Sequence, residues 1–541
     1  MERYLYKSNS GNYNFLMAYP AIEEFALASL GYLWLYKVAD TQEGINAIRC
    51  STDNVVISKK IDSIAFSMSF DFDYAGVFEI LEKLNIPLYS AERNENHPLI
   101  FAGGPVITTN PCPYEAFFDF LMIGDGEESF KHVLDILKSN SRCEALKLLE
   151  NVDGVYIPGK NKTVKKAVVP LHEVIYTPIL SDKGYFKDTF IIEVERGCMN
   201  RCAFCTASYI NLPFRSYEYD KIIAAIDLGL QYTNKIALLG AQISAHPDFD
   251  AIMKYIEDKI DNGVNIELGI SSLRTDAVSP QMVQTLVKGG QKHSTIAIEA
   301  ASERLRKYIN KNLKEEQILN AVRISRENGL KGLKIYSMIG IPTETQDDIN
   351  EFLKLGKKIK DENKGFNIEF SFSSFVPKPY TPFQWVQQDD IAELRRKQFL
   401  LKDALKVKNI TFQYHDSVTS VLEAVFARGD RRLGKALYLA WQRGAKFDGW
   451  SEHFSYDRWL EALQDAGLNK EFYIGRERGA NELFPWEHIQ PAVARSFLRR
   501  EYEKALAEEL TNDCRHGVCT GCGVCQKLGV KIIDWKEQGL V

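Results

Sequence analysis

The chain of 541 residues has no apolar run that approaches the length of a membrane span, which argues against an integral membrane protein. Its first residues, M-E-R-Y-L-Y-K-S-N-S-G-N-Y-N, lack the charged-then-apolar order of an export signal. The expectation is a cytoplasmic protein whose thiols stay reduced. No large charge of either sign is present. A formal net charge of −5 gives no general drive toward nucleic acid or anionic membrane, although a local basic patch stays open. Internal repeats and low-complexity segments are also missing, so repeat architectures fall away. Hydrophobic residues at 45% and charged residues at 26% are ordinary for a globular protein, and the length suits roughly three domains. What the chain does have is cysteine: ten in all, seven of them in two tight groups. In a reducing compartment that favours metal or redox chemistry over cross-links.

The first group lies in V-E-R-G-C-M-N-R-C-A-F-C, with Cys198, Cys202 and Cys205 spaced C-x3-C-x2-C and Phe204 just before the last cysteine. Three thiolates hold three irons of a 4Fe–4S cube and leave the fourth iron open to something that is not protein. A fully coordinated cluster mainly passes electrons, whereas an open iron can also bind and activate a substrate. The expected ligand is S-adenosylmethionine (SAM), held through its amino and carboxylate groups and split by an electron to give a 5′-deoxyadenosyl radical. Structural zinc usually takes four ligands in two pairs, and no fourth cysteine or histidine lies near this loop.

The first ~170 residues read as strands alternating with helices. Candidate strands are 15–19, 63–70, 99–105 and 117–128, and 75–84 has helical spacing of its apolar residues. That alternation implies a parallel sheet covered by helices, with ligands beyond the carboxyl ends of its strands. Ser67, Ser69, Gly103, Gly104, Gly124 and Gly126 fall at or near such ends. The glycines serve either close approach of a ligand or simple tight turns. Residues 155–169 read as a linking hairpin. From about Asp188 the alternation resumes, with strands expected at 190–194, 235–240, 265–270, 294–299, 332–338 and 367–372. Six such units suit a partial barrel with its site at the C-terminal strand ends. From about 388 to 510 the pattern is mostly helical. The expected fold class is therefore α/β: an N-terminal Rossmann-like parallel sheet domain (1–170), a central (β/α)6 partial TIM barrel (185–387), a helical C-terminal region (388–510) and a cysteine-rich tail (511–541).

The tail reads D-C-R-H-G-V-C-T-G-C-G-V-C and carries the second group, Cys514, Cys519, Cys522 and Cys525. Four thiolates with intervening glycines can wrap a single site, either a second 4Fe–4S cluster or zinc. His516 is a substitute ligand or a solvent-facing loop residue.

The chain resembles the radical SAM superfamily, in the branch with an N-terminal cobalamin-binding-like domain and a C-terminal cysteine cluster. The residues that carry the resemblance are the cysteine loop, L-L-G-A at 238–241, Glu299, M-I-G-I-P-T-E-T at 338–345, F-V-P-K-P-Y-T-P-F-Q-W at 375–385, R-G-D-R-R-L-G at 428–434 and F-D-G-W-S-E-H-F at 447–454. The resemblance implies that Cys198, Cys202 and Cys205 ligate the SAM cluster and that Phe204 lies beside the adenine. It places Gly240, Ser272, Arg274, Glu299 and Gly340 around SAM. Leu239-Gly240-Ala241 stands where many members have Gly-Gly-Glu, so the contact to the SAM amino group would rest on carbonyls alone. Ser272, Arg274 and Glu299 read equally well as helix caps or surface ion pairs. For cobalamin the resemblance points to Ser67, Ser69, Gly103, Gly104 and Gly126. The D-x-H-x-x-G signature that gives cobalt a histidine is absent from the first 170 residues, where His97 lies in another context, as does His172 just beyond them.

The implied activity is reductive cleavage of SAM, with cobalamin-dependent methyl transfer to an unreactive carbon as the leading reaction and a flavodoxin or ferredoxin as reducing partner. A second enzymatic reading uses the tail cluster for sulfur insertion or electron relay on RNA or a small molecule. Arg428, Arg431, Arg432, Trp441 and Trp450 would suit RNA or another anionic substrate, or a core and salt-bridge role. A non-catalytic reading is a two-cluster electron carrier or redox sensor, which leaves the barrel pattern unexplained. Neither the substrate nor any catalytic side chain is legible.

Overall fold

The computed structural model describes residues 2–529 apart from 57–59, 161–162, 406–409, 447 and 449–452. Trp450 and the end of the tail, 530–541, lie outside the described residues. The N-terminal sheet contains β1 (Gly11–Ala18), β2 (Gly44–Cys50), β3 (Ser63–Ser67), β4 (Leu99–Gly103), β5 (Phe120–Met122) and β6 (Val155–Tyr156), in the order β2-β1-β3-β4-β5-β6. All neighbours are parallel except β6, which runs antiparallel to β5. The strands read as apolar runs because both faces are covered. Phe15 and Met17 of β1 join one core with helices α1 (Leu30–Asp40) and α3 (Ser129–Ser139). Leu16 and Ala18 join the other with α2 (Tyr74–Lys83), and this core runs on into the rest of the molecule. The chain reverses direction across the sheet between β1 and β3, and the carboxyl ends there are where such sheets take ligands.

The second half carries seven parallel strands. β7 (Thr189–Glu193), β8 (Lys235–Leu239) and β9 (Glu267–Ile270) form one sheet. β10 (His293–Glu299), β11 (Gly332–Ile339), β12 (Asn367–Ser374) and β13 (Ile410–Tyr414) form another. A parallel bridge between Leu273 and Ile296 joins the two into an open arc. Helices cover its outer side, and the loops after the strands share one rim.

Three features depart from expectation. Residues 155–169 are no hairpin: β6 completes the N-terminal sheet, while Val164–Lys165 pairs with Ile489–Gln490. Each short segment finds its partner elsewhere because a two-stranded ribbon alone buries too little. Second, β2 and α1 fall in a stretch with no assignment, since Gly, Asn and Arg dilute the β signal of G-I-N-A-I-R-C. Third, β13 lies in the span expected to be helical, and its I-T-F-Q-Y alternation adds a seventh strand to the arc.

Helices α4 (Ser417–Ala427), α5 (Leu433–Gln442), α6 (Tyr456–Asp465) and α7 (Arg495–Leu506) bear out the helical reading around β13. The first three dock onto α2 through aromatic edges. Trp459 meets Tyr74 at 5.8 Å and Phe426 at 5.0 Å, and the Trp441 indole donates to Glu82 at 2.7 Å. Asn110, buried, donates to the carbonyls of Ala427 and Gly429 at 3.1 and 2.9 Å. Of the residues offered for nucleic-acid stacking, Arg428 and Trp441 are taken up by the core, whereas the Arg431 and Arg432 side chains stay exposed. Arg428 is fully buried and donates to the Val386 carbonyl, Trp441 is buried, Arg431 pairs with Glu115, and Arg432 pairs with Asp430.

Candidate active site

The cysteine loop leaves β7 and is held by side chains that satisfy its backbone. Asn310 donates to the carbonyls of Asn200 and Arg201, each at 3.1 Å, and the Tyr209 hydroxyl donates to Arg201 O at 2.8 Å. The Ala203 N–H donates to Ile309 O at 2.9 Å. So anchored, Cys198, Cys202 and Cys205 line one cavity of about 190 Å³, and all three thiols are free. The same cavity is lined by Phe204, Ser272, Arg274 and Glu299, which the sequence placed around SAM.

Burial pushes the Cys202 thiol up to about 12 against the opposing pull of Lys311. Burial likewise raises Cys198 and Cys205. Such thiols stay protonated unless a soft cation takes the proton's place. Three of them around one hollow, with no histidine or fourth cysteine on its wall, fit a cubane with one open iron.

The opposite wall comes from the segment after β8, from β9 and the segment after it, and from the end of β10. Glu299, at the end of β10, has φ +64° and pairs with Lys311 at 2.9 Å. Arg274 pairs with Asp276 at 2.8 Å. Gly240 lies behind the wall: a Cβ there would run into the carboxylate of Glu195. Ala241 and Gln242 line the cavity in its stead. Glu195 is 1% exposed and accepts from the Gln242 N–H at 2.6 Å, and burial pushes its carboxyl up to about 7. Gln242 in turn receives the Asn200 amide and lies 3.5 Å from the Cys198 sulfur. Gly340 is not brought to this cavity. Its N–H donates to Glu344 at 2.8 Å and it packs against Leu394. Sequence reasoning missed Glu195, Gln242, Asn200 and Lys311. Only the closeness of Glu195 and Asn200 to the cysteine motif could have signalled any of them.

The tail lies against the back of the loop. Cys514 and Cys522 are buried, Cys525 is half-buried and Cys519 is exposed. Arg201, fully buried, places Nη2 3.8 Å from the Cys514 sulfur and its guanidinium 5.0 Å from the Phe497 ring. Burial alone would lower its pKa, but Cys522 and Cys514 raise it further than burial takes away. Asn310, which holds the loop, also accepts from the Thr511 N–H at 2.8 Å.

In the N-terminal sheet, Ser67, Ser69, Gly103 and Gly104 come together at the ends of β3 and β4. Ser67 is in register with Gly103, Met68 N–H donates to Gly103 O at 2.9 Å, and Ser69 N–H donates to Asp73 at 2.6 Å. Gly104 has φ +110°, and a Cβ there would strike the Met68 carbonyl, so packing alone requires glycine. Gly126 lies against Leu35, one loop away. Just past β3, Asp71 pairs with Lys378 at 3.2 Å, and Lys378 also pairs with Glu423 at 2.7 Å. Lys378 and Glu423 line a second cavity of about 1060 Å³ at the rim of the arc, together with Met338, Ser373, Tyr414 and His415. Phe204 lines this cavity and the cysteine cavity alike.

Among the described residues no helix is long and apolar enough to cross a membrane. Two family models match the chain: "Radical SAM proteins, N-terminal" over residues 33–158 and "Radical SAM superfamily" over residues 192–356. An uncharacterized protein of Methanocaldococcus jannaschii is 29% identical over 423 residues, which is 77% of this chain and 88% of that protein. An uncharacterized methyltransferase of Pyrococcus horikoshii is 22% identical, over 63% of this chain and 75% of its own length. A tRNA-2-methylthio-N(6)-dimethylallyladenosine synthase of Anaplasma phagocytophilum is 23% identical, over 46% and 57%. Among solved structures, the radical SAM methyltransferase TsrM of Kitasatospora setae, with cobalamin and a 4Fe–4S cluster bound, superposes with TM-score 0.53 at 12% identity. That match covers 92% of this chain and 99% of TsrM. The cobalamin-dependent radical SAM enzyme OxsB matches with TM-score 0.51 at 13% identity, over 85% of this chain and 71% of its own. At such identities the likeness is one of fold. That fold implies a 4Fe–4S cluster and SAM, and enzymes of this kind draw on an external reductant. The chain is a radical SAM enzyme, and its fold is like that of cobalamin-dependent members of the superfamily.

Proposed function

We propose that the protein cleaves SAM at a cluster held by Cys198, Cys202 and Cys205 and uses the radical to move a methyl group onto an unreactive carbon. The observation that carries this reading is Phe204, which stands on the wall of the cysteine cavity and of the large rim cavity together. When bound, the cluster supplies one electron to the sulfonium, whose C5′–S bond breaks to give methionine and a 5′-deoxyadenosyl radical. The chain's own residues bind and orient. Arg274 and Lys311 offer positive charge to the SAM carboxylate, and Ser272 and Glu299 offer hydrogen bonds to its ribose and amino group. The rim cavity holds the substrate against Phe204, and the α4 wall limits water there. Cobalamin, when bound, would lie over the carboxyl ends of β3 and β4, with Ser67, Ser69, Gly103, Gly104 and Gly126 as its sheet contacts. It would supply the methyl group without a histidine from the N-terminal sheet loops. The reading also carries the division into parts 1–170, 185–387, 388–510 and 511–541, with β13 lent by the third part to the arc.

The test is anaerobic reconstitution with iron and sulfide, SAM and a flavodoxin, with and without cobalamin. Formation of 5′-deoxyadenosine and S-adenosylhomocysteine, with one cobalt per chain, supports the whole reading. Formation of 5′-deoxyadenosine without cobalt binding removes methyl transfer from cobalamin.

One observation favours a second reading: the Arg201 side chain reaches from the cysteine loop to Cys514 and Cys522. A metal held by Cys514, Cys519, Cys522 and Cys525 would then relay electrons or give up sulfur. Two relatives are named as a tRNA-2-methylthio-N(6)-dimethylallyladenosine synthase and a ribosomal protein uS12 methylthiotransferase, so RNA or protein substrates enter with this reading. Product mass separates a gain of one methyl from a gain of methylthio.

A further inference from the structure

Among the described residues outside the cysteine loop and the tail, one set of side chains has the composition of a metal site. Cys112, Glu115 and His488 place a thiol, a carboxylate and an imidazole nitrogen within 4.8 Å of one another. Cys112 is 3% exposed and Glu115 6% exposed. The first two follow β4 in the N-terminal sheet, whereas His488 ends a turn some 370 residues later, just before the strand that pairs with Val164–Lys165.

The histidine is the informative member. Its Nδ1 lies 2.9 Å from the Pro485 carbonyl, and a carbonyl only accepts, so Nδ1 carries the proton. Nε2 is then a lone pair, and that atom is buried with no hydrogen-bond donor facing it. A buried acceptor left without a donor is unfavourable, so the site is incomplete as protein alone. An imidazole fixed through Nδ1–H to a backbone carbonyl, with Nε2 turned inward, is the arrangement that presents a ligand to a metal.

The other two donors are prepared in the same way. Cys112 Sγ lies 3.2 Å from the same Pro485 carbonyl. The thiol is buried, and a divalent ion that binds it takes the place of its proton. Glu115 receives the Tyr156 hydroxyl at 3.0 Å and the Arg431 guanidinium. A carboxylate has lone pairs to spare for an ion beyond those two contacts. The Tyr156 ring also lies 4.7 Å from the imidazole and fixes its plane.

We propose that Cys112, Glu115 and His488 bind a divalent transition ion, zinc by the chemistry of the donors, and so clamp the C-terminal region to the N-terminal sheet. One thiolate and one carboxylate neutralise the ion, and binding releases the Cys112 proton to solvent. Tetrahedral zinc needs a fourth ligand. Cys112 lines a cavity of about 400 Å³, from which water can supply it. The clamp is independent of the radical chemistry, because none of its residues touches the cysteine cavity.

The test measures zinc and iron per chain in full-length protein, wild type against Cys112→Ser and His488→Gln. The expected result is the loss of one zinc in each variant with iron and 5′-deoxyadenosine formation unchanged. Retention of wild-type zinc by both folded variants, or a wild type without zinc after zinc loading, overturns the proposal. Should the variants not fold, diffraction from zinc-loaded wild-type crystals on both sides of the zinc edge decides. An anomalous peak among the three side chains supports the site, and its absence there overturns it.

Discussion

Cys198, Cys202 and Cys205 open onto a cavity walled by Ser272, Arg274, Glu299 and Lys311. Cys514 and Cys522 instead press against the guanidinium of Arg201, with Cys519 in solvent. One group faces a space with charges of both signs along its wall, which suits a zwitterionic ligand such as SAM. The other faces a single buried cation, which suits a thiolate-bound metal that carries negative charge and binds nothing further. The difference shows how one side chain serves two ends. Ligand chemistry needs a hollow with charges set around it, and metal retention needs only thiols, a curled backbone and a counter-charge.

The severest test of this contrast is Cys202→Ala. It removes a thiol from the hollow and is expected to bring 5′-deoxyadenosine formation to background while the tail keeps its metal. Metal analysis and product chromatography on the same sample check both halves. Loss of the tail metal as well would mean that the two groups fold as one site.

A smaller effect is expected from Cys522→Ala. Removing this tail ligand is expected to slow turnover by on the order of tenfold with flavodoxin as reductant and to leave SAM affinity unchanged. Should a small chemical reductant restore the rate, the tail relays electrons. Equal losses with both reductants would make it a structural brace for the loop through Asn310 and Arg201.

Lys311→Met sharpens the account of the hollow. Lys311 pairs with Glu299 at 2.9 Å, with both side chains about 15% exposed. Its loss is expected to weaken SAM binding by on the order of tenfold, the worth of one charge-assisted hydrogen bond. Equilibrium binding of SAM to the reconstituted enzyme reads this directly. Unchanged affinity would place the SAM carboxylate on Arg274 alone.

What was legible in the sequence follows from distance along the chain. The cysteine loop was read in full because its spacing is local, and Phe204 with it. The parallel sheet and the strand arc were legible because each strand–helix unit repeats a local pattern. At Gly240 the Glu195 carboxylate, 45 positions earlier, fills the space a side chain would need, a demand for glycine that local pattern does not reveal. Gly340 packs on Leu394, 54 positions later. The segment 155–169 looked like a hairpin because both of its short strands have partners that local pattern does not reveal, one of them at Ile489–Gln490. Lys311 had no signal, being one cation among many until the fold set it beside Glu299. The N-terminal glycines were ambiguous for a different reason: at Gly104 close packing on Met68 and close approach of a ligand demand the same residue.

The mildest effect concerns the acid behind the hollow, the counterpart of Arg201 behind the tail. Glu195 has its carboxyl pushed from 4.5 up to about 7 by burial, so the fold binds its proton more tightly than the unfolded chain does. Its contribution to stability is therefore complete below pH 4.5 and is lost as the pH rises to about 7, a loss of about 3 kcal/mol at most. Glu195→Gln keeps an oxygen that can accept from the Gln242 N–H and removes the titration. The variant is expected to unfold at nearly the same temperature as wild type at pH 5 and at a higher one at pH 8. Thermal unfolding of both proteins across that range measures the gap. A gap that does not grow with pH would mean that Glu195 is ionised in the fold, with a positive charge near Gln242 holding it so. The hollow and the tail would then both rest on buried ion pairs, and the contrast between them would lie in the cavity alone.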